Sequence, residues 1–196
     1  GEKVDVSFTT PAGVGTADTG GFHIGTYRGG SGRFFEGLID EVGIWNRVLR
    51  EDEVAYLAEG NPIPLPDPAK TLKDGLQASW AFEGDFSSST FGFDGEPVNG
   101  AMISDDAKVG NGSVAFTQAE KQYVDVQNQV IENGALAYSS AGWFKVTGGE
   151  GRRFLWESSP SNWAVSTEVT PCREREGIYQ ACRREFTQCR QRDGAW

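Results

Sequence analysis

The sequence predicts an all-β sandwich, and three observations predict it. Short apolar rows of period two recur along the chain, turn-forming residues separate them, and helical periodicity is confined to one short segment. The rows are Val4, Val6 and Phe8; Leu76, Ala78, Trp80 and Phe82; Val114 and Phe116; and Val124 and Val126. Each places its apolar side chains on one face of a strand, as a two-layer sandwich requires. Asn99-Gly100, Asn111-Gly112 and Asn133-Gly134 tolerate the positive φ of tight turns and are expected to be hairpin turns. The exception is helical: Leu49, Glu53, Val54 and Leu57 share one helix face, and Glu51, Asp52 and Glu53 complement the positive N-terminal end. Gly60 ends that helix, and Arg50, with no short side chain to cap the first amides, is expected to leave its start frayed.

Pro62, Pro64, Pro66 and Pro68 enforce an extended backbone without ladder hydrogen bonds, which makes 61–74 a linker between 1–60 and 75–196. The first segment is too short for a whole sandwich. The 196 residues suffice for one large β domain or two small ones. Gly1 already stands in an alternating pattern and the one methionine is Met102, so the natural protein is expected to extend upstream. A net charge of −10 argues against nucleic acid as a partner, because phosphate binding needs a positive patch, and against anionic membranes. No run approaches 18 apolar residues and no signal-peptide pattern is visible.

The run Phe34-Phe35-Glu36-Gly37-Leu38-Ile39-Asp40-Glu41-Val42-Gly43-Ile44-Trp45-Asn46-Arg47-Val48-Leu49, followed by Glu53-Val54, resembles the end of laminin-G-like domains of the concanavalin A-like lectin/glucanase superfamily. Gly21-Phe22-His23-Ile24-Gly25 is similar to the strand before it. Leu76 to Phe82, Asp94-Gly95, Asn99-Gly100-Ala101, Lys108-Val109-Gly110, Val114 to Phe116, Tyr123 to Val126 and Ser140 to Lys145 resemble the family's opening half in order. Asp193-Gly194-Ala195-Trp196 is similar to the start of a central strand there. The resemblance implies a concanavalin A-like jelly roll. Residues 1–60 look like the C-terminal part of one laminin-G-like domain and 75–196 like the N-terminal part of a second, so the chain spans a tandem-repeat junction. Residues 171–192 depart from the family: they hold Cys172, Cys182, Cys189 and six of the twelve arginines, through either an insertion or a change of reading frame.

If the two segments close on each other they form a circular permutant, with Ile39, Val42 and Ile44 in one core with Trp80, Phe116 and Phe144. The 14 residues of 61–74, at about 3.3 Å each, reach roughly 46 Å, enough to cross such a domain.

The resemblance implies a carbohydrate-binding or adhesion module of a larger secreted or cell-surface protein, with a glycan or an extracellular protein as partner. The alternatives are a structural spacer and a glycoside hydrolase or lyase of the same fold. Some enzymes of this fold hydrolyse β-glucans with an E-x-D-x-x-E strand, which does not occur here. Asp40 and Glu41 are adjacent, so regular strand alternation points them to opposite faces. His23, between Phe22 and Ile24, reads as a structural or surface histidine. A structural calcium is expected at Asp40, with Glu83, Asp85 and Asp94 as further ligands. For sugar stacking the candidates are Trp163, Trp156, Tyr123 and Tyr27, while Trp45, Trp80 and Trp143 stand in apolar rows as core. The cysteines, spaced by ten and seven without neighbouring histidine, do not form a zinc site; one disulfide and a free thiol remain open. Asn111-Gly112-Ser113 matches a glycosylation sequon that a turn explains equally.

Overall fold

A computed structural model describes residues 21–27, 30–63, 70–131, 138–158, 163–169 and 175–182, with backbone alone at 70–71 and beyond 158. The elements are β1 (Phe22–Ile24), β2 (Gly37–Trp45), α1 (Glu51–Ala58), α2 (Lys70–Lys73), β3 (Leu76–Trp80), β4 (Glu96–Val98), β5 (Met102–Ser104), β6 (Ser113–Phe116), β7 (Tyr123–Val126), β8 (Ser139–Val146), β9 (Gly151–Ser158), β10 (Trp163–Val169) and β11 (Arg175–Cys182). Two antiparallel sheets form. The five-stranded sheet runs β10-β9-β1-β7-β4, and the six-stranded sheet runs β11-β8-β2-β6-β5 with β3 also on β2. Val4, Val6, Phe8, Asn133-Gly134, Cys172, Cys189 and the closing Asp193 to Trp196 lie outside the described residues.

Both sheets are centred on strands that precede the Pro-rich segment. β1 lies between β7 and β9, and β2 pairs β8 on one edge and β6 and then β3 on the other. All nine residues of β2 are buried. Ile39, Val42 and Ile44 share one core cluster with Trp80, Phe116 and Phe144, the contact expected of a sandwich assembled from both segments. Phe22 of β1 and Trp80 of β3 stack at 5.2 Å and 5°, joining the two sheets. Removing a central strand would strip the ladder partners of two neighbours and expose an apolar face.

Asn99 and Gly100 do adopt left-handed φ, at 55° and 80°. They are nonetheless not a hairpin turn, because β4 belongs to one sheet and β5 to the other, so the tight turn carries the chain across the sandwich. The atypical stretch yields β11, paired with β8 residue by residue from Arg175–Val146 to Cys182–Ser139.

The helix corrects its expected start. Glu53 reaches back to accept the Arg50 amide at 2.8 Å, and the Arg47 guanidinium grips the same carboxylate at 2.7 and 2.8 Å. The Leu49 amide donates to Ser139 Oγ on β8. The first turn is thus held by a residue three positions into the helix. Leu49 and Leu57 join Trp45, Ile63, Leu72 and Ala141 in a second apolar cluster on the outer side of the six-stranded sheet. Trp45 is therefore buried as expected, but outside the main core, with Nε1 donating to Leu72 O at 2.6 Å.

Candidate functional site

Two outer faces hold the side chains that carry chemistry. On the five-stranded sheet, Phe22, Ile24, Val124 and Val126 point into the core, so alternation turns His23, Tyr123 and Asp125 outward. Register sets His23 opposite Asp125 on β7 and Glu157 on β9. His23 Nε2 lies 3.4 Å from Asp125 Oδ1, and its Nδ1 lies 3.2 Å from Glu157 Oε1. His23 and Glu157 are buried and Asp125 is half-buried, so Asp125 is the solvent-facing end of this row.

Residues that follow β1 complete the face. Tyr27 and Gly32 form a bridge, Thr26 Oγ1 donates to Gly32 O, and the Phe154 amide donates to Arg33 O. Tyr27 stacks on Phe154 at 4.2 Å, and the Arg33 guanidinium lies 5.3 Å from the Tyr27 ring and 5.6 Å from that of Phe154. Tyr123 is flanked by His23 at 6.0 Å and Phe34 at 6.3 Å. Gly30 is required here: its φ is 80°, and a Cβ would press on the Tyr123 ring. Burial and then the Asp125 charge raise the Tyr123 pKa, which keeps its phenol a hydrogen-bond donor. Flat rings beside imidazole, carboxylate and guanidinium can stack on an apolar ring face and bond hydroxyls at its rim.

Of the expected stacking residues, this face brings Tyr27 and Tyr123 together, both half-buried. Trp156 is a correction: it is fully buried in the main core, because a bulge at Leu155 lets both residues face inward, so its ring offers no face to a ligand. Trp163 opens β10 opposite Ser158, and its side chain lies outside the described residues. Trp80 is core, and Trp143 is buried on the outer face of the other sheet, 4.6 Å beneath Lys108 Nζ.

The six-stranded sheet presents a different chemistry. Between Asp40 and Gly43, β2 advances three residues while β8 advances two, and Glu41 has φ 48°. This bulge returns Val42 to the core and leaves both Asp40 and Glu41 outside it, correcting the expectation that they face opposite ways. Asp40 Oδ2 accepts the Lys108 and Val109 amides, each at 2.9 Å, while Oδ1 is buried with no hydrogen bond of ordinary geometry. Burial raises Asp40 to about 6; the two amides oppose the shift and the Glu83 charge adds to it. Glu41 accepts the Ile63 amide at 2.6 Å and rises to about 8, through burial first and then the charges of Asp40 and Glu83. Glu83 accepts the Asn111 amide with both oxygens and lies over Gly110, where a Cβ would collide with it.

Asp40 and Glu83 thus act on one place, whereas Asp85 accepts the Ser87 amide and Asp94 the Ser88 amide within their own loop. Among the described residues, no three His, Cys, Asp or Glu side chains are grouped to hold a metal ion. Asn111 lies in the loop that these carboxylates fasten. No described helix is long and apolar enough to cross a membrane.

Sequence reasoning passed over Glu157 and Phe154 and read His23 as a structural or surface histidine. Their partners come from three strands distant in sequence, so only register unites them. No curated protein and no solved structure gives a significant match to the chain. A laminin-G-type family model, described as the concanavalin A-like lectin/glucanases superfamily, matches residues 1–55, which include β1 and β2. Residues 1–55 are therefore similar to laminin-G-type domains, and the described residues form an all-β sandwich of two antiparallel sheets, consistent with the fold that this similarity implies.

Proposed function

We infer that the chain is a non-catalytic carbohydrate-binding or adhesion module of a larger secreted or cell-surface protein built from laminin-G-like repeats. The observation that carries this reading is the outward face on which Tyr27, Tyr123, His23 and Asp125 stand together, half of it aromatic and half polar. A glycan would stack on Tyr27 and Tyr123 and bond through Asp125 and the Tyr123 hydroxyl. The His23 ring separates Asp125 from Glu157, so a scissile glycosidic bond would not lie between two free carboxylates, which supports binding rather than hydrolysis. A structural calcium on the opposite face fits Asp40 and Glu83, because Asp40 Oδ1 is buried without a hydrogen bond, with backbone carbonyls completing the six to eight oxygens such an ion takes.

The test is retention on immobilised polysaccharides, neutral and anionic, of the chain and of Tyr27→Ala and Tyr123→Ala. Binding is expected at millimolar to micromolar affinity, about −4 to −8 kcal/mol, and is expected to fall in both variants. If the unsubstituted chain is retained on nothing, the spacer reading replaces this one.

A further inference from the structure

We propose that Phe91, at the tip of the loop between β3 and β4, is a second stacking platform of this module, for a neutral sugar ring. The proposal rests on the glycan-binding reading above and adds a contact outside the Tyr27 and Tyr123 face.

Phe91 is 101% exposed, although its neighbours Phe86 and Phe93 pack against the main core. The loop has the apolar anchors it needs, and Phe91 is not one of them. Its backbone is nonetheless tied down on every side. The Ser89 amide donates to Ser79 O, the hydroxyls of Ser79 and Ser89 meet at 2.7 Å, and Trp80 Nε1 donates to Phe93 O at 2.8 Å. Asn128 Nδ2 donates to Gly92 O, the residue after Phe91, and the Gly95 amide donates to Phe86 O. A fully solvated phenyl ring on a fastened loop is presented at little further ordering cost on binding, which is the condition for a preorganised contact.

The surroundings select the occupant. Among the described residues the other exposed large apolar side chains are Val48 and Met102, neither on this loop, so Phe91 is a single ring and not the centre of an apolar patch. Protein docking surfaces of useful affinity need a buried cluster rather than one ring. A pyranose needs one flat apolar surface with polar groups near it, and Ser87, Ser88, Ser89 and Thr90 precede Phe91 on the same loop while Asn128 bonds Gly92 just after it. Asp85, Asp94 and Glu96, on the same loop and at the start of β4, are all exposed, and the chain as a whole carries a net charge of −10. Uronate, sulfated and sialylated rings, and anionic lipid surfaces, are thereby repelled, and an uncharged sugar is left.

The experiment titrates neutral glucan, mannan and xylan oligosaccharides, with heparin as the anionic control, into the chain and into Phe91→Ala, Phe91→Trp and Tyr123→Ala. Phe91→Ala is expected to weaken neutral-sugar binding about tenfold, which is 1.4 kcal/mol, with its melting temperature unchanged. Phe91→Trp is expected to keep or improve binding, and its new indole emission to shift on titration. If Tyr123→Ala weakens binding while Phe91→Ala does not, the Phe91 proposal falls and the module reading stands. If the unsubstituted chain binds none of the sugars, or binds heparin alone, both the proposal and its neutral ligand are wrong. Loss of self-association in Phe91→Ala with sugar binding intact would also overturn it, in favour of a protein contact.

Discussion

On the six-stranded sheet the outward side chains of β2 are covered by helix α1, Ile63, Leu72 and the Lys108–Val109 backbone, whereas on the five-stranded sheet the outward side chains of β1 and β7 lie beside the Tyr27–Gly32 bridge. There Tyr27, Tyr123 and Asp125 remain part-exposed. The same sandwich therefore has one face closed by a second apolar layer and one face left accessible. Polar groups follow the division. On the closed face Asp40, Glu41 and Glu83 are spent on backbone amides of Lys108, Val109, Ile63 and Asn111, fastening loops to the bulged strand. On the accessible face, the His23 imidazole meets the Asp125 carboxylate and the Arg33 guanidinium lies against aromatic rings. The run that resembles the family lies on β2, yet the residues proposed to meet a ligand are on the other sheet.

The sharpest way to break this comparison is to cut each face once. Trp45→Ala, which empties the second apolar cluster and removes the bond to Leu72, is expected to cost about 3 to 5 kcal/mol, read by urea unfolding. Tyr123→Ala, on the accessible face, is expected to cost less than about 1.5 kcal/mol. Equal losses would show that the accessible face is as structural as the closed one.

Calcium sharpens it next. An ion held by Asp40 and Glu83 in the native state alone would stabilise by about 2.7 kcal/mol at a hundredfold excess over its dissociation constant. Melting curves in calcium and in chelator should then separate, and should superimpose in Asp40→Asn. Superimposable curves for the unsubstituted chain would remove the metal.

The buried carboxylates also give the closed face a pH dependence without calcium. Both native pKa values, about 6 for Asp40 and about 8 for Glu41, lie above their unfolded values of 3.8 and 4.5. The native state therefore holds more protons across this window, and stability falls as pH rises from about 4 to about 8. Glu41→Gln, which keeps an oxygen for the Ile63 amide, should stabilise the chain by on the order of 1 to 2 kcal/mol at about pH 8 and change little near pH 5. An identical effect at both pH values would contradict the assignment. The smallest expected effect is Arg33→Ala, about 0.5 kcal/mol from an exposed cation–π contact, measured by thermal melting.

How much of this was legible in the sequence follows from range. The rows at Ala78 with Trp80, Val114 with Phe116 and Val124 with Val126 set strand faces through nearest-neighbour alternation, and the structure follows them, whereas Leu76, expected in the first row, packs against the outer cluster at the irregularity opposite Trp45. Helix α1 was legible from spacing, but the cap on its first turn was not, since Glu53 acts from inside the helix. The bulge at Glu41 was hidden because a glutamate at positive φ carries no local signature, and it alone decides where Asp40 and Glu41 point. Trp156 was a stacking candidate because its place opposite the core residue Ile24 is a matter of register, which the sequence does not encode locally. The His23 row needed the register of β1, β7 and β9, which no short motif encodes.

The central claim is that recognition belongs to the accessible face. It is tested most directly by recording amide and side-chain NMR shifts while a neutral oligosaccharide bound by the chain is titrated in. The account predicts that His23, Tyr27, Tyr123 and Asp125 move together while Asp40, Glu41 and helix α1 stay still. Shifts concentrated on α1, Ile63 and the Asp40–Glu41 bulge, with the five-stranded sheet unmoved, would contradict it.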